Sequence, residues 1–177
     1  MQVLQHRSQL LAKHGHHKEL VNKGLGLVGP FQTNFLSMER EYVALVHGRP
    51  PSIAGRIEAP IGRDPQNRTR RMIDGIGARP ATTHFELVEA FPEHTLLSVH
   101  LETGRTHQIR VHFGAIKYPI VGDPVYGPSS SDRLGLEHQA LHAHRLAFMH
   151  PVTGERLEFT SPVPADFERA LTSLRPE

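Results

Sequence analysis

The chain of 177 residues contains no cysteine. Disulfide bonds, thiolate metal sites and cysteine nucleophiles are therefore excluded. The sequence also lacks any apolar run that approaches the length of a membrane-spanning helix, and its N-terminus has no continuous apolar segment of the signal-peptide type. From these absences we expect a cytoplasmic protein that makes no use of a membrane.

The net charge is also small, since the formal charge at neutral pH is only +2. The basic residues are nevertheless clustered, and the chain carries fourteen histidines that add positive charge at mildly acid pH. One segment holds Arg56, Arg63, Arg68, Arg70 and Arg71. This clustering favours a polyanionic partner.

The chain length is typical of one domain with a substantial core. The first 37 residues differ from the rest in their residue pattern. Gly24, Gly26, Gly29 and Pro30 interrupt this segment so closely that neither a helix nor a long strand fits. We therefore expect residues 1–37 to form an atypical, poorly ordered N-terminal segment. Its histidines at 14, 16 and 17 fit a solvated polar tract better than a metal site.

From Met38 onward the apolar pattern predicts an α+β fold with a mixed, largely antiparallel sheet and a few flanking helices. A basic loop is predicted from about 60 to Met72, and a short helix at 165–174. A hairpin is expected to join the last two strands. The predicted strands are 42–46, 56–61, 82–91, 96–101, 141–149 and 156–160.

A second helix is predicted in the middle of the chain, directly after the turn at Thr103-Gly104. Ile109, Phe113 and Ile116 follow the helical spacing of one apolar stripe. Thr103 or Thr106 is available as the N-cap. The helix would therefore begin within the stretch LETGRTHQIRVH at 101–112.

The same stretch concentrates polar side chains at the start of this helix, namely Arg105, His107, Gln108 and Arg110. Free backbone N–H groups and the helix dipole favour an anion at this position. A simpler interpretation is a solvated helix face. The density of cations, ring nitrogens and a glycine turn beside a predicted core edge favours an anion-binding role.

Several ordered motifs closely resemble those of the RluA family of RNA pseudouridine synthases, and the resemblance covers about residues 38–175. One such motif would be weak, but the ordered set is highly specific. The motifs are EYVALV at 41–46, PIGR at 60–63, LETGRTHQIR at 101–110, PIVGD at 119–123, YG at 126–127, QALHA at 139–143 and HPVTGE at 150–155.

The resemblance implies isomerisation of uridine to pseudouridine in structured RNA, either rRNA or tRNA, without a cofactor or a metal. We expect the chain to be a monomer. It assigns catalytic roles to Tyr42, which would stack on the target base, and to Arg110, which would pair with the catalytic aspartate. The substrate-binding wall would contain Arg105, Thr106, His107 and Gln108. Reaching a base in folded RNA requires flipping it, which an aromatic platform and cations can assist.

One departure from the family concerns the catalytic aspartate, whose His-Arg-Leu-Asp-x-x-Thr-Ser-Gly motif lies upstream of the tyrosine in relatives. Residues 1–37 contain no aspartate at all. A milder departure is Lys117-Tyr118, where members usually carry Gly-His. We therefore expect 38–177 to be the C-terminal part of a catalytic domain with impaired activity. Asp123 is a poor substitute nucleophile because the resemblance places it in a structural turn.

Other interpretations remain open at this point. The chain lacks the catalytic aspartate but keeps the substrate-binding residues around Arg105. This combination fits a non-catalytic RNA-binding remnant of such an enzyme. Tyr42 is also compatible with a purely structural place in the core. A metal enzyme built on His138, His142 and His144 is a further alternative, but the sequence offers no clear additional ligand.

Overall fold

The computed structural model describes residues 38–128 and 133–176, which form nine strands and two helices. The segment 1–37, with His14, His16 and His17, lies outside the described residues. The strands are β1 (Glu39–His47), β2 (Ala54–Glu58), β3 (Ile61–Arg63), β4 (Arg71–Ile73), β5 (Ile76–Arg79), β6 (Thr82–Ala90), β7 (His94–Leu101), β8 (Leu141–Met149) and β9 (Arg156–Thr160). The helices are α1 (Gln108–Ala115) and α2 (Ala165–Leu174).

Six strands form the main sheet in the order β2-β6-β7-β1-β8-β9, and every neighbouring pair is antiparallel. In β1, the run from Val43 to Val46 is buried at every position. Such a continuous apolar run is typical of a strand that is covered on both faces. The predicted α+β class with a largely antiparallel sheet is confirmed, as is the hairpin of β8 and β9.

Both helices contribute to the main core through one apolar stripe each. Phe167, Ala170 and Leu171 of α2 are buried, and their spacing matches one helix face. In α1, Phe113 is fully buried and meets Phe85 of β6 edge-on, with 5.6 Å between ring centroids. The helix predicted at 165–174 is therefore confirmed. Neither helix of the described part is long and apolar enough to cross a membrane.

A second, three-stranded sheet with the order β4-β3-β5 occupies the region where the sequence predicted a basic loop. The strand predicted at 56–61 is accordingly wrong in its extent, because β2 ends at Glu58 and β3 belongs to the small sheet. Pro60 lies between them and has no N–H to continue a ladder. A side chain at Gly62 would collide with the backbone of Gly75, so this small sheet depends on glycine at that crossing.

The predicted N-cap of α1 is also wrong. Its N-cap residue is His107, in a left-handed conformation with φ of 59° and without a side-chain cap hydrogen bond. Thr103 lies further upstream, and its hydroxyl accepts the N–H of Thr82 at 3.0 Å. Ile116 follows the helix as its C-cap residue. The threonine thus joins the preceding turn to β6 instead of starting the helix.

Candidate nucleic-acid interface

The turn before α1 is held in place by one buried amide side chain, that of Gln108. Its Nε2 donates to the carbonyl of Thr82 at 2.9 Å and to Thr83 Oγ1 at 3.1 Å. Its Oε1 accepts the hydroxyl of Thr103 at 2.8 Å and the N–H of Arg105 at 2.9 Å. Since all four hydrogen-bonding positions of the amide are used, Gln108 fixes the turn relative to β6.

The fixed turn forms one wall of an open groove of about 490 Å³. The opposite wall is one face of the small sheet, where Arg71, Arg63 and Ile76 are aligned across β4, β3 and β5. The residues that line the groove are Ile61, Gly62, Arg63, Arg71, Ile76, Gly77, Arg79, Gly104, Arg105 and Thr106. We call this the arginine groove.

Four arginines line the arginine groove, and no carboxylate is among its described lining residues. Two of them are held by main-chain oxygens. Arg71 donates to the carbonyl of Arg70 at 3.1 Å, and Arg105 donates to the carbonyl of Pro80 at 3.1 Å. Cations that are gathered in a concave surface without acidic partners raise the local potential and attract polyanions. Planar guanidinium groups are well suited to phosphate.

A buried ion pair lies behind the groove, between Arg110 of α1 and Asp123 in the loop that follows the helix. Arg110 Nε and Nη2 each donate to one carboxylate oxygen of Asp123 at 2.7 Å. The Asp123 side chain is 0% exposed. Its Oδ1 also accepts the N–H groups of Val125 and Tyr126. Both oxygens are therefore occupied by protein donors.

The pKa of Asp123 reflects two opposing effects. Burial alone would raise it, but the hydrogen bonds from Arg110, Val125 and Tyr126 and the charge of Arg110 bring the pKa below its usual value. The carboxylate is therefore ionised at neutral pH. Because it is buried and saturated with donors, Asp123 supports the loop and is not free to attack a substrate.

Tyr126 connects this ion pair to the small sheet. Its ring lies 5.1 Å from the Arg110 guanidinium and 5.5 Å from that of Arg70, measured to the ring centroid. Its hydroxyl accepts the backbone N–H of Arg71 at 2.8 Å and shares a hydrogen bond of 3.0 Å with His107 Nδ1. Tyr126 therefore fixes the position of β4, and with it one of the groove arginines.

Two histidines in this region are biased towards the neutral form. Burial and the nearby charges of Arg110 and Arg71 lower the pKa of His107. Burial also lowers the pKa of His112, which has no exposed surface. His112 Nε2 donates to the carbonyl of Ala59 at 3.0 Å, so Nδ1 is left to accept the hydroxyl of Thr83 at 2.9 Å. His112 thus joins α1 to the β2–β3 connection.

Comparison with known proteins shows which family the chain belongs to. The family model for RNA pseudouridylate synthase matches residues 27–115, which is half of the chain. The chain belongs to this family. An uncharacterized RNA pseudouridine synthase of Chloroflexus aurantiacus is 54% identical over 138 residues, which cover 78% of this chain and 43% of that protein. Ribosomal large subunit pseudouridine synthase D of Xanthomonas campestris is 44% identical over 155 residues, covering 81% and 46%.

A solved structure of human RNA pseudouridylate synthase domain containing 1 superposes with a TM-score of 0.64 at 28% identity. The alignment covers 72% of this chain and 56% of the human one. The chain spans less than half the length of the two bacterial relatives described above. The resemblance of the motifs to RNA pseudouridine synthases is thereby confirmed.

The site residues predicted from the sequence fall into three places. Arg105 and Thr106 line the arginine groove, whereas His107 and Arg110 surround Tyr126. Gln108 is buried beneath the turn. Tyr42 lies on β1, opposite Val99 and Ala143, and packs against the main core while remaining partly exposed.

Other groups of this candidate interface were not found by reasoning from the sequence. Arg79 joins the groove although it lies outside the predicted arginine cluster. Tyr126 was noted only as part of a motif, since nothing in the sequence shows that its hydroxyl reaches Arg71. Arg110 pairs with Asp123 in the structure, and not with an aspartate from residues 1–37, which contain none.

Two of the three histidines of the metal alternative have other contacts. His142 and His144 project from β8, and both approach the carbonyl oxygen of Ser161, at 3.2 and 2.9 Å. Within residues 38–128 and 133–176, no three His, Cys, Asp or Glu side chains converge as metal ligands would. The arrangement gives that alternative no support.

Proposed function

We propose that this chain acts in the isomerisation of uridine to pseudouridine in structured RNA, as a cytoplasmic monomer that binds RNA through the arginine groove. The observation that carries the proposal is the groove itself, a concave surface beside the family motif at 101–110 whose described lining contains four arginines and no carboxylate. Its shape and charge suit a phosphodiester backbone. The partial catalytic domain that we propose spans 38–177.

The proposed roles of individual residues follow from their positions. Arg105 and Thr106 contact RNA from the wall of the groove, and Gln108 positions them through the turn. Tyr42 stacks on the flipped uracil from its partly exposed place on β1. Arg110 has a catalytic role that it exerts from behind the groove, where its pair with Asp123 keeps the guanidinium oriented against the ring of Tyr126. His107, with its lowered pKa, acts as a neutral hydrogen-bonding group.

As the substrate we propose RNA of the large ribosomal subunit in preference to tRNA. Support comes from the relatives in Xanthomonas campestris and Vibrio parahaemolyticus, both named ribosomal large subunit pseudouridine synthase D, with 44% and 43% identity.

A second candidate function is RNA binding without catalysis. One observation favours it: the carboxylate beside Arg110, that of Asp123, is buried and has donors on both oxygens. The family reaction needs an aspartate that can reach the sugar of the nucleotide. In the described part of the chain no carboxylate lines the groove, so binding would survive where catalysis is weak.

The two candidates are separated by measuring pseudouridine in ribosomal and transfer RNA after incubation with the purified chain, with Arg105→Ala and with Arg56→Ala. Arg56 lies off the groove in an exposed pair with Glu58, so it is the matched control. Product that falls with Arg105→Ala and not with Arg56→Ala supports the synthase. Salt-dependent binding without product supports the RNA-binding candidate, and absence of both contradicts the proposal.

A further inference from the structure

One apolar side chain stands out in the arginine groove, that of Ile76 on β5. It is 65% exposed, although leaving a large aliphatic side chain in water costs free energy relative to burying it. It lines the groove together with the four arginines and is paired with Arg63 across the small sheet. An isoleucine at this place contributes little to the core, so its exposure calls for another explanation.

The backbone around Ile76 leaves its side chain accessible. Gly75 precedes it and Gly77 follows it, so neither neighbour carries a side chain that could cover it. Apart from its two chain neighbours, no described residue has an atom within 4 Å of where a Cβ of Gly77 would stand. The row Arg71, Arg63 and Ile76 therefore presents two cations and one apolar side chain to the same groove.

We propose that Ile76 inserts against a base step of the bound RNA and helps to unstack the nucleotide next to the target uridine. The inference rests on the proposed function and adds a residue that positions the substrate. Flipping a base costs a few kcal/mol of stacking and pairing, and apolar wedges are a recurring means of opening a base step. The charge complementarity of the surrounding arginines identifies the occupant as nucleic acid, since they would hold the phosphates on either side of the opened step.

The test uses a short hairpin RNA with 2-aminopurine next to a loop uridine, because the fluorescence of this base increases when it unstacks. Binding and fluorescence are measured for the wild-type chain, Ile76→Ala, Ile76→Leu and Val152→Ala. Val152 is the matched control, since it is 84% exposed at the turn between β8 and β9, away from the groove. Circular dichroism melting verifies that each variant is folded.

The wild-type chain is expected to increase the fluorescence on binding. Ile76→Ala should bind roughly tenfold more weakly, because several apolar carbons are no longer buried against a base. It should also lose the fluorescence increase while keeping the salt dependence of binding. Ile76→Leu should restore most of both signals, and Val152→Ala should behave as wild type.

The outcomes separate the inference from the function on which it rests. If the wild-type chain binds RNA in a salt-dependent way but Ile76→Ala matches Val152→Ala in affinity and fluorescence, Ile76 does not insert against a base step. The proposal that the groove binds RNA is then unaffected. If the wild-type chain shows no salt-dependent binding, both the proposed function and the proposed role of Ile76 are contradicted.

Discussion

At the scale of single residues, the buried pair of Arg110 and Asp123 should contribute much more to stability than pairs at the surface. Arg110→Ala would leave the Asp123 carboxylate buried without its cation, and we expect the free energy of unfolding to fall by about 3–5 kcal/mol. Urea unfolding measures this difference.

The control for that prediction is Arg56→Ala, which breaks the exposed pair with Glu58. Exposed pairs are worth less than about 1 kcal/mol because water and salt screen them. Similar losses in the two variants would show that the Arg110 pair is not shielded from solvent as described.

His112 should make stability depend on pH. Its pKa is lowered in the folded chain, so the unfolded chain binds more protons below about pH 6.5, the usual value for histidine. The stabilisation is complete above that pH and is lost as the pH falls towards the folded-state pKa. We expect the free energy of unfolding of His112→Gln to lack this pH-dependent contribution.

The measurement is the unfolding free energy of the wild-type chain and of His112→Gln across a pH series. The comparison between the two isolates His112 from groups such as His100, whose pKa is raised by Glu41 and whose contribution has the opposite sign. Parallel pH profiles for the two proteins would contradict a neutral, buried His112.

At the scale of secondary structure, the small sheet should depend on a tyrosine from a distant loop. The Tyr126 hydroxyl accepts the Arg71 N–H of β4. Tyr126→Phe would leave that donor unpaired, and we expect a loss of about 1–3 kcal/mol together with faster amide exchange in β4. Hydrogen exchange resolved by residue measures the second effect.

Tyr118→Phe is the matched control, because Tyr118 is a partly buried tyrosine that packs against the main core, as Tyr126 packs against a smaller cluster, and no hydrogen bond joins its hydroxyl to the described residues. We expect less than about 0.5 kcal/mol from this change, as for substitutions that remove no specific contact. Equal exchange rates in β4 for both variants would argue against the anchoring role of Tyr126.

The elements that could be predicted from the sequence are those with strong local patterns. The buried run of β1, the β8–β9 hairpin and the stripe of α2 were found because their burial imposes a regular spacing. The small sheet was missed because β3, β4 and β5 are only three or four residues long, and β5 is exposed throughout. Its pairing depends on the close crossing of Gly62 and Gly75, which local spacing does not show.

At the scale of the whole molecule, the candidate site was predicted only in part. The family motif pointed to Arg105 and Thr106, and both line the groove. The motif could not show that Arg63, Arg71 and Arg79 face the same space, since their convergence requires the small sheet to fold against the turn. The hydrogen bond between the Arg71 N–H and the Tyr126 hydroxyl joins residues 55 positions apart, so it likewise forms only in the tertiary fold.

The central claim is that the arginine groove holds RNA phosphates. It is tested most directly by the salt dependence of RNA affinity for the wild-type chain, Arg63→Ala/Arg79→Ala and Arg56→Ala/Arg156→Ala. Both double variants remove two positive charges, but Arg56 and Arg156 lie in ion pairs with glutamates away from the groove lining. Each lost phosphate contact reduces the slope of log affinity against log salt by about 0.7–0.9.

We predict that the groove variant loses affinity and that its slope becomes shallower by roughly 1.5, the sum expected for two phosphate contacts. The control variant should keep the slope of the wild-type chain. An affinity that stays constant from low to high salt, or an equal slope for the two double variants, would contradict the claim that this groove is where RNA binds.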